Sequence, residues 1–125
     1  MKKLPKISES EWLVMQVLWE KNPLTANEIV EELSGKTKWK PKTIKTLITR
    51  LTNKGAIKFE KEGRLYKYRP AVSKDDCVRM ERRSFVRRVY GGISKPMVAS
   101  FLEDAELSAD DIAELKKILE QKAEE

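Results

Sequence analysis

Residues 41–54 read PKTIKTLITRLTNK, and their side chains sort into two chemistries. Ile44, Leu47, Ile48 and Leu51 fall at i, i+3, i+4 and i+7, the spacing that gathers apolar groups on one side of an α-helix. Lys42, Thr46, Thr49 and Asn53 run down the other side, flanked by Thr43, Lys45 and Arg50. No carboxylate occurs in this stretch, so its outer side offers donors, small hydroxyls and methyl groups without negative charge. Those groups suit a DNA major groove. Lys and Arg reach phosphates or guanine edges, Asn bridges adenine, and Thr brings a hydroxyl and a methyl for thymine. A solvated basic surface helix would have the same composition, so the flanking sequence has to decide.

Upstream, Ser8 and Glu11 form a capping box at the start of a helix expected over Ser8–Glu20. Its interior, WLVMQVLW, is apolar almost all round and reads as a buried helix that Asn22 and Pro23 end. Leu24 is expected in a short strand or bridge. Thr25 and Glu28 make a second capping box, before a helix with Ala26, Ile29, Val30 and Leu33 on one side. Gly35 is expected to end that helix in the left-handed conformation, which glycine adopts at little cost. Lys36–Lys40 then forms a connection longer than the turn of a minimal helix-turn-helix. Trp39 either packs over this junction or stands exposed against DNA. Pro41 suits the first turn of the next helix, and Gly55 closes it.

From Ala56 to Pro70 the period changes from helical to alternating. Ile57 and Phe59 share a face of one run, Tyr66 and Tyr68 a face of the next, and Glu62, Gly63 and Arg64 lie between them. This is a hairpin with Arg64 at its tip and Lys58, Lys61, Lys67 and Arg69 along its strands. Three helices followed by a basic hairpin make a winged helix, whose third helix enters the major groove while the wing reaches the adjoining backbone or minor groove.

Charge supports an anionic partner. The 125 residues carry a net charge of +6, but residues 1–72 hold 16 Lys and Arg against 8 Asp and Glu, and residues 73–125 hold 10 against 12. The excess positive charge therefore sits on the half with the candidate recognition helix. The chain has no His, and Cys77 is its single cysteine. That removes an internal disulfide framework, a Cys/His zinc site and a His-dependent triad, so no catalytic residue, metal ligand or cofactor is expected. Cys77 reads as a small core or interface residue, not a redox switch. No apolar run approaches a membrane span, and MKKLPKIS lacks a following apolar signal region, so the expected location is cytoplasmic without membrane insertion.

Beyond Val72 the chain turns helical again, with Ser73 and Asp76 as an N-cap pair. Lys74–Tyr90 mixes apolar residues with an arginine stripe, Arg79, Arg82, Arg83 and Arg87, and Gly91 and Gly92 break it. A short helix is expected near Lys95–Leu102, and a last one is introduced by Ser108 and Asp111. These helices carry Phe85, Val89, Met97, Val98, Phe101, Leu102, Ile112, Leu115 and Leu119, apolar stripes without an evident core of their own. So short a segment is expected to pack on the same helices of a second subunit, with folding back on its own winged helix as the alternative. The arginine stripe then serves intersubunit pairing with Glu or Asp, or else DNA. The expected class is mainly α with a small β-hairpin: a winged helix-turn-helix over 1–72 and a three-helix dimerisation region over 73–125.

The run Trp39, Pro41, Lys42, Thr43, Ile44, Thr46, Leu47, Arg50, Leu51, Lys54, Gly55 resembles the signature helix of the BlaI/MecI family of penicillinase and methicillin-resistance repressors. The wing residues Glu62, Gly63, Arg64, Tyr66 and Tyr68 and the FLEDAELSADDIAEL ending match as well, so the resemblance covers essentially the whole chain. It implies a homodimeric repressor on a palindromic DNA operator upstream of beta-lactamase or resistance genes. Lys42, Thr43, Thr46 and Arg50 would carry operator contacts, with Arg64 on the wing. It also implies release through a membrane-bound, penicillin-sensing protease pathway that leads to cleavage in the dimerisation region, here at Ser100–Phe101. This chain has Ser where the better-known repressors have Asn. A copper-responsive branch of the family ends in paired cysteines, whereas this chain reads EQKAEE there, which argues against that branch. The rival reading is a winged helix that docks its basic face on an acidic protein.

Overall fold

The computed structural model describes residues 4–125 and divides into two compact units, residues 1–82 and 83–125. In the first unit, helix α1 (Glu9–Glu20) is followed by strand β1 (Leu24–Thr25), helix α2 (Ala26–Ser34), helix α3 (Pro41–Asn53) and strands β2 (Ile57–Glu62) and β3 (Leu65–Pro70). The strands form one antiparallel sheet in the order β1-β3-β2, with Leu24 opposite Tyr68 and Phe59 also opposite Tyr68. A first short strand, three helices and a terminal hairpin give the winged helix expected from the sequence.

Local chemistry accounts for each boundary. Ser8 Oγ accepts the Glu11 amide at 3.2 Å while Glu11 Oε1 accepts the Ser8 amide at 2.8 Å, and Thr25 and Glu28 repeat the exchange at α2. The C-terminus of α3 is a Schellman turn. Gly55 has φ 80°, its amide donates to Thr52 O at 3.1 Å, and the Ala56 amide donates to Leu51 O at 3.0 Å. The end of α2 differs from expectation: Gly35 is right-handed, with φ −79°. Here the closing hydrogen bonds come from Thr37, whose amide and hydroxyl both donate to Leu33 O, at 2.8 and 3.0 Å. The helix is therefore stopped by a threonine turn, and the glycine needs no special conformation.

The core of this unit gathers Val14, Met15, Val17 and Leu18 of α1, Ile29 and Leu33 of α2, and Ile44, Leu47, Ile48 and Leu51 of α3, together with Ala56 and Ile57 at the root of the hairpin. Trp39 is half-buried against this core, so it packs over the junction. Trp19 meets Trp12 edge-to-face at 5.5 Å and donates from Nε1 to Val72 O at 3.1 Å, tying α1 to the chain leaving the hairpin. Cys77, in the first turns of helix α4 (Lys74–Phe85), is fully buried in the same core. Its burial, followed by the charge of Asp76, pushes the thiol above its ordinary range. This contact carries the first unit beyond residue 72, and the division falls inside α4.

The last turn of the expected Lys74–Tyr90 helix is π-helical over Val86–Tyr90, and Gly91, with φ 72°, ends it. Helix α5 (Lys95–Asp104) and helix α6 (Ala109–Ala123) complete the second unit, capped by Ser94 and by the Ser108–Asp111 box. Met97 is the single buried apolar residue described in 83–125.

Full burial of a Leu or Ile side chain contributes about 1.5–3 kcal/mol, so the inner side of α3 is a main source of the first unit's stability. Leu51→Ala is expected to cost about 2–5 kcal/mol, and Gly55→Ala about 1–2 kcal/mol for forcing a side chain into the left-handed region. Gly35→Ala is expected to be neutral or slightly stabilising, because its backbone is ordinary and a Cβ meets nothing within 4 Å. Urea unfolding followed by circular dichroism checks all three.

Candidate nucleic-acid interface

Packing settles which side of α3 meets solvent. Ile44 and Leu51 are fully buried and Leu47 and Ile48 nearly so, while Lys42, Thr43, Lys45, Thr46, Thr49, Arg50 and Asn53 are all exposed. The four residues expected to face DNA, Lys42, Thr43, Thr46 and Arg50, lie together on this surface, and Lys45, Thr49 and Asn53 extend it. Lys42, Lys45 and Arg50 have no carboxylate within 4 Å among the described residues, so their charge is not neutralised within the protein.

The threonines are constrained in a way that their identity alone does not reveal. Thr46 Oγ1 donates to Lys42 O at 2.9 Å and Thr49 Oγ1 to Lys45 O at 3.1 Å. With the hydroxyl proton committed to the helix, each side chain has its oxygen lone pairs and its methyl left for a partner. The surface therefore divides its labour: Lys42, Lys45 and Arg50 donate, whereas Thr46 and Thr49 accept and make apolar contact.

The wing is two-sided. Cross-strand register puts Phe59, Lys61, Tyr66 and Tyr68 on one face, with Phe59 4.9 Å from Tyr66 and 5.8 Å from Tyr68. The other face carries Lys58, Glu60, Glu62, Lys67 and Arg69. There Lys67 pairs with Glu62 at 3.1 Å and Arg69 approaches Glu60 at 3.9 Å. Of the basic residues expected along the hairpin, two are thus matched within the wing. Lys58, Lys61 and Arg64 have no carboxylate within 4 Å among the described residues. Arg64 is exposed in the two-residue turn Gly63-Arg64, one residue shorter than the connection expected; Gly63 has φ 62°, as the first position of a type II′ hairpin turn requires.

One element holding the surface in place escaped the sequence reading. Lys54, at the C-cap of α3, reaches back to α1, where its Nζ meets Glu11 Oε1 at 2.5 Å and also donates to Lys6 O at 2.9 Å. Glu11 is almost fully buried. Burial alone would push its carboxyl up, but the hydrogen bonds from Lys54 and from the Ser8 amide and hydroxyl outweigh it and hold the group below the usual carboxylate range. The capping box accounts for Glu11 in the sequence, and nothing in the local pattern shows its second partner 43 residues away.

In the second unit Phe85 and Val89 stand at the end of α4 and in the π-helical turn, Met97, Val98, Phe101 and Leu102 on α5, and Ile112, Leu115 and Leu119 on α6. Met97 is buried and Leu115 half-buried, whereas the other seven are exposed. Tyr90, absent from the expected set, links two of them, with its ring 6.0 Å from Phe85 and 5.9 Å from Phe101. The Ser100–Phe101 bond lies within α5.

A winged helix presenting an acid-free third helix and a basic wing tip is an architecture of DNA-binding transcriptional regulators. The profile of the penicillinase repressor family matches residues 7–121. The penicillinase repressor of Bacillus licheniformis is 43% identical over 121 residues, spanning 97% of this chain and 94% of its own length. The methicillin resistance regulatory protein MecI of Mammaliicoccus sciuri is 40% identical over 117 residues, covering 94% and 95% respectively. Among solved structures, the monomeric form of Bacillus licheniformis BlaI in complex with the blaP half-operator matches with a TM-score of 0.54 and 45% identity, over 61% of this chain and 93% of that one. This chain belongs to the penicillinase repressor family.

Lys54→Met would leave Glu11 buried without its cation. Because Lys54 is 37% exposed on its side chain, the expected loss is about 1–3 kcal/mol, less than for a fully buried pair. The pH dependence has a definite sign. A depressed folded-state pKa stabilises fully above the unfolded value of about 4.3 and is lost as pH falls through the folded value. The stability gap between the parent and Glu11→Gln should therefore narrow as pH drops from about 6 towards 3, as read by thermal melts at successive pH values.

Proposed function

We propose that this chain is a homodimeric repressor that binds a palindromic operator controlling a beta-lactamase or related resistance gene, and that proteolysis in its helical C-terminal region releases it. The observation that carries the reading is the outer side of α3: exposed, free of carboxylate, and backed by four buried aliphatic side chains. A relative 45% identical over the 61% of this chain that it matches is solved on a half-operator, which supports a palindrome as the full target. In this reading Lys42, Thr43, Thr46 and Arg50 contact the operator and Arg64 follows the adjoining backbone or minor groove. Residues 1–72 serve DNA and residues 73–125 serve dimerisation, in the cytoplasm.

Dimerisation follows from the same physics that builds the first unit. Residues 83–125 bury one apolar side chain while exposing Phe85, Val89, Ile93, Val98, Phe101, Leu102, Ile112, Ile118 and Leu119. So much exposed apolar surface on a small helical unit supports an interface with a second copy. Two winged helices held in one assembly bind two half-sites with the effective concentration that linkage supplies, whereas a separated subunit keeps its contacts and loses that advantage. Cleavage at Ser100–Phe101, answering a membrane-bound sensor protease, would part Phe101 and α6 from the Phe85–Tyr90 ring pair and empty the operator without altering α3. The bond lies in a helix, so cleavage requires α5 to unwind locally.

Arg50→Ala is expected to weaken operator binding by about 1–3 kcal/mol and to relax sequence preference, whereas Lys45→Ala should weaken all duplexes alike and reduce the salt slope by about one. Titrations of operator and scrambled duplexes at several salt concentrations check both. An Arg50→Ala protein with parental operator affinity would remove α3 from its role. Truncation after Ser100 should give a monomer in sedimentation, and a stable dimer would exclude α6 and the last turn of α5, from Phe101 on, from the interface.

A further inference from the structure

Five arginines, Arg79, Arg82, Arg83, Arg87 and Arg88, fall within ten residues of α4 and the π-helical turn after it, with Glu81 the single carboxylate among them. All five are exposed. Within residues 1–82, Arg79 and Arg82 have no described carboxylate within 4 Å, and within 83–125 the same holds for Arg83, Arg87 and Arg88. Arg88 donates to Ser84 Oγ at 3.4 Å, a neutral partner. Like charges spaced three and four residues apart on one helix repel, so this arrangement destabilises α4 unless an anionic surface meets it.

The second unit holds the opposite arrangement. Residues 103–114, EDAELSADDIAE, carry six carboxylates and no base. Asp111 is used in the Ser108 capping box, and Glu103, Asp104, Glu106, Asp110 and Glu114 have no cation of their own unit within 4 Å. Each charge set is interleaved with exposed apolar side chains: Phe85 and Val89 beside the arginines, and Leu107 and Ile112 beside the acids.

We propose that the arginines of α4 and its π-helical turn pair with the acidic segment 103–114 of a second copy of this chain, reciprocally across a two-fold axis. This rests on the dimer proposed above and assigns its electrostatic register. A two-fold operation makes both contacts at once, because each copy carries both surfaces. Duplex DNA would satisfy the arginines but leave the acids unmatched and Phe85 and Val89 in water. A second copy covers all of them. The apolar stripes then supply affinity, while the charges select one alignment of the helices and raise the encounter rate.

The test uses the full chain in two charge-reversed forms, Arg83→Glu/Arg87→Glu and Asp110→Lys/Glu114→Lys, with circular dichroism confirming that each folds. Sedimentation equilibrium should show each variant alone dimerising about tenfold or more weakly than the parent, and the parent dimer weakening as salt rises from about 0.05 to 1 M. Mixing the two variants should restore a dimer of near-parental affinity, because both contacts of the mixed pair are again between opposite charges. A folding defect would not give that recovery. Parental dimerisation by each variant alone, or no recovery on mixing, would overturn the pairing while leaving the dimer standing. A parent that is monomeric throughout would overturn the pairing together with the dimer. Unchanged dimerisation with weaker operator binding by Arg83→Glu/Arg87→Glu would move the arginines to DNA and overturn the pairing as well.

Discussion

Burial of Ile44, Leu47, Ile48 and Leu51 under α1 and α2 is the interaction on which the first unit depends. A helix of thirteen residues without an acidic N-terminal turn or a side-chain N-cap has little reason to persist alone in water. Its stability has to come from packing, and the packing side is apolar enough to provide it. That frees the other side from any structural duty. Lys42, Thr43, Thr46 and Arg50 need stabilise nothing within the protein, so their chemistry is available to a partner.

The devices at the ends of α3 hold that surface at a defined attitude. At one end, the half-buried Trp39 packs the incoming loop on the core; at the other, the Schellman turn at Gly55 leads directly into Ala56 and Ile57, which are buried at the root of the wing. Lys54 adds a polar tie to Glu11 of α1 and to the Lys6 carbonyl. A buried ion pair is a weak source of net stability, because desolvation offsets much of the attraction. Its effect here is directional: α3 cannot rotate or slide without stranding a buried carboxylate. Recognition through side chains of fixed length depends on that kind of constraint.

Residues 83–125 follow a different rule. Their helices have ordinary caps, Ser94 for α5 and Ser108 with Asp111 for α6, so local signals mark where they begin. What they lack is an interior, since Met97 alone is buried. Under the proposed dimer this incompleteness has a use. A core completed only by a second copy can be opened by a single cut, and occupancy of DNA then becomes sensitive to an event outside the first unit.

The amino-acid order by itself determined the elements and their chemistry. The i, i+3, i+4, i+7 stripes, the Ser and Thr caps and the change to an alternating period after Gly55 are local features, and local energetics decide them; the acid-free side of α3 could be read for the same reason. Several things were left to tertiary structure, because each depends on groups far apart in the chain or on a choice between equal local options. Lys54 finds Glu11 across 43 residues. Lys67 and Arg69 are matched by Glu62 and Glu60 once strand register is set, leaving Lys58, Lys61 and Arg64 as the wing's unmatched bases. Trp39 turned inward, and Gly35 stayed right-handed because Thr37 closed the helix. Cys77 entered the first unit's core, which carried that unit past residue 72. Hydrophobic periodicity reports which side of an element is apolar, and only packing in three dimensions selects what that side meets.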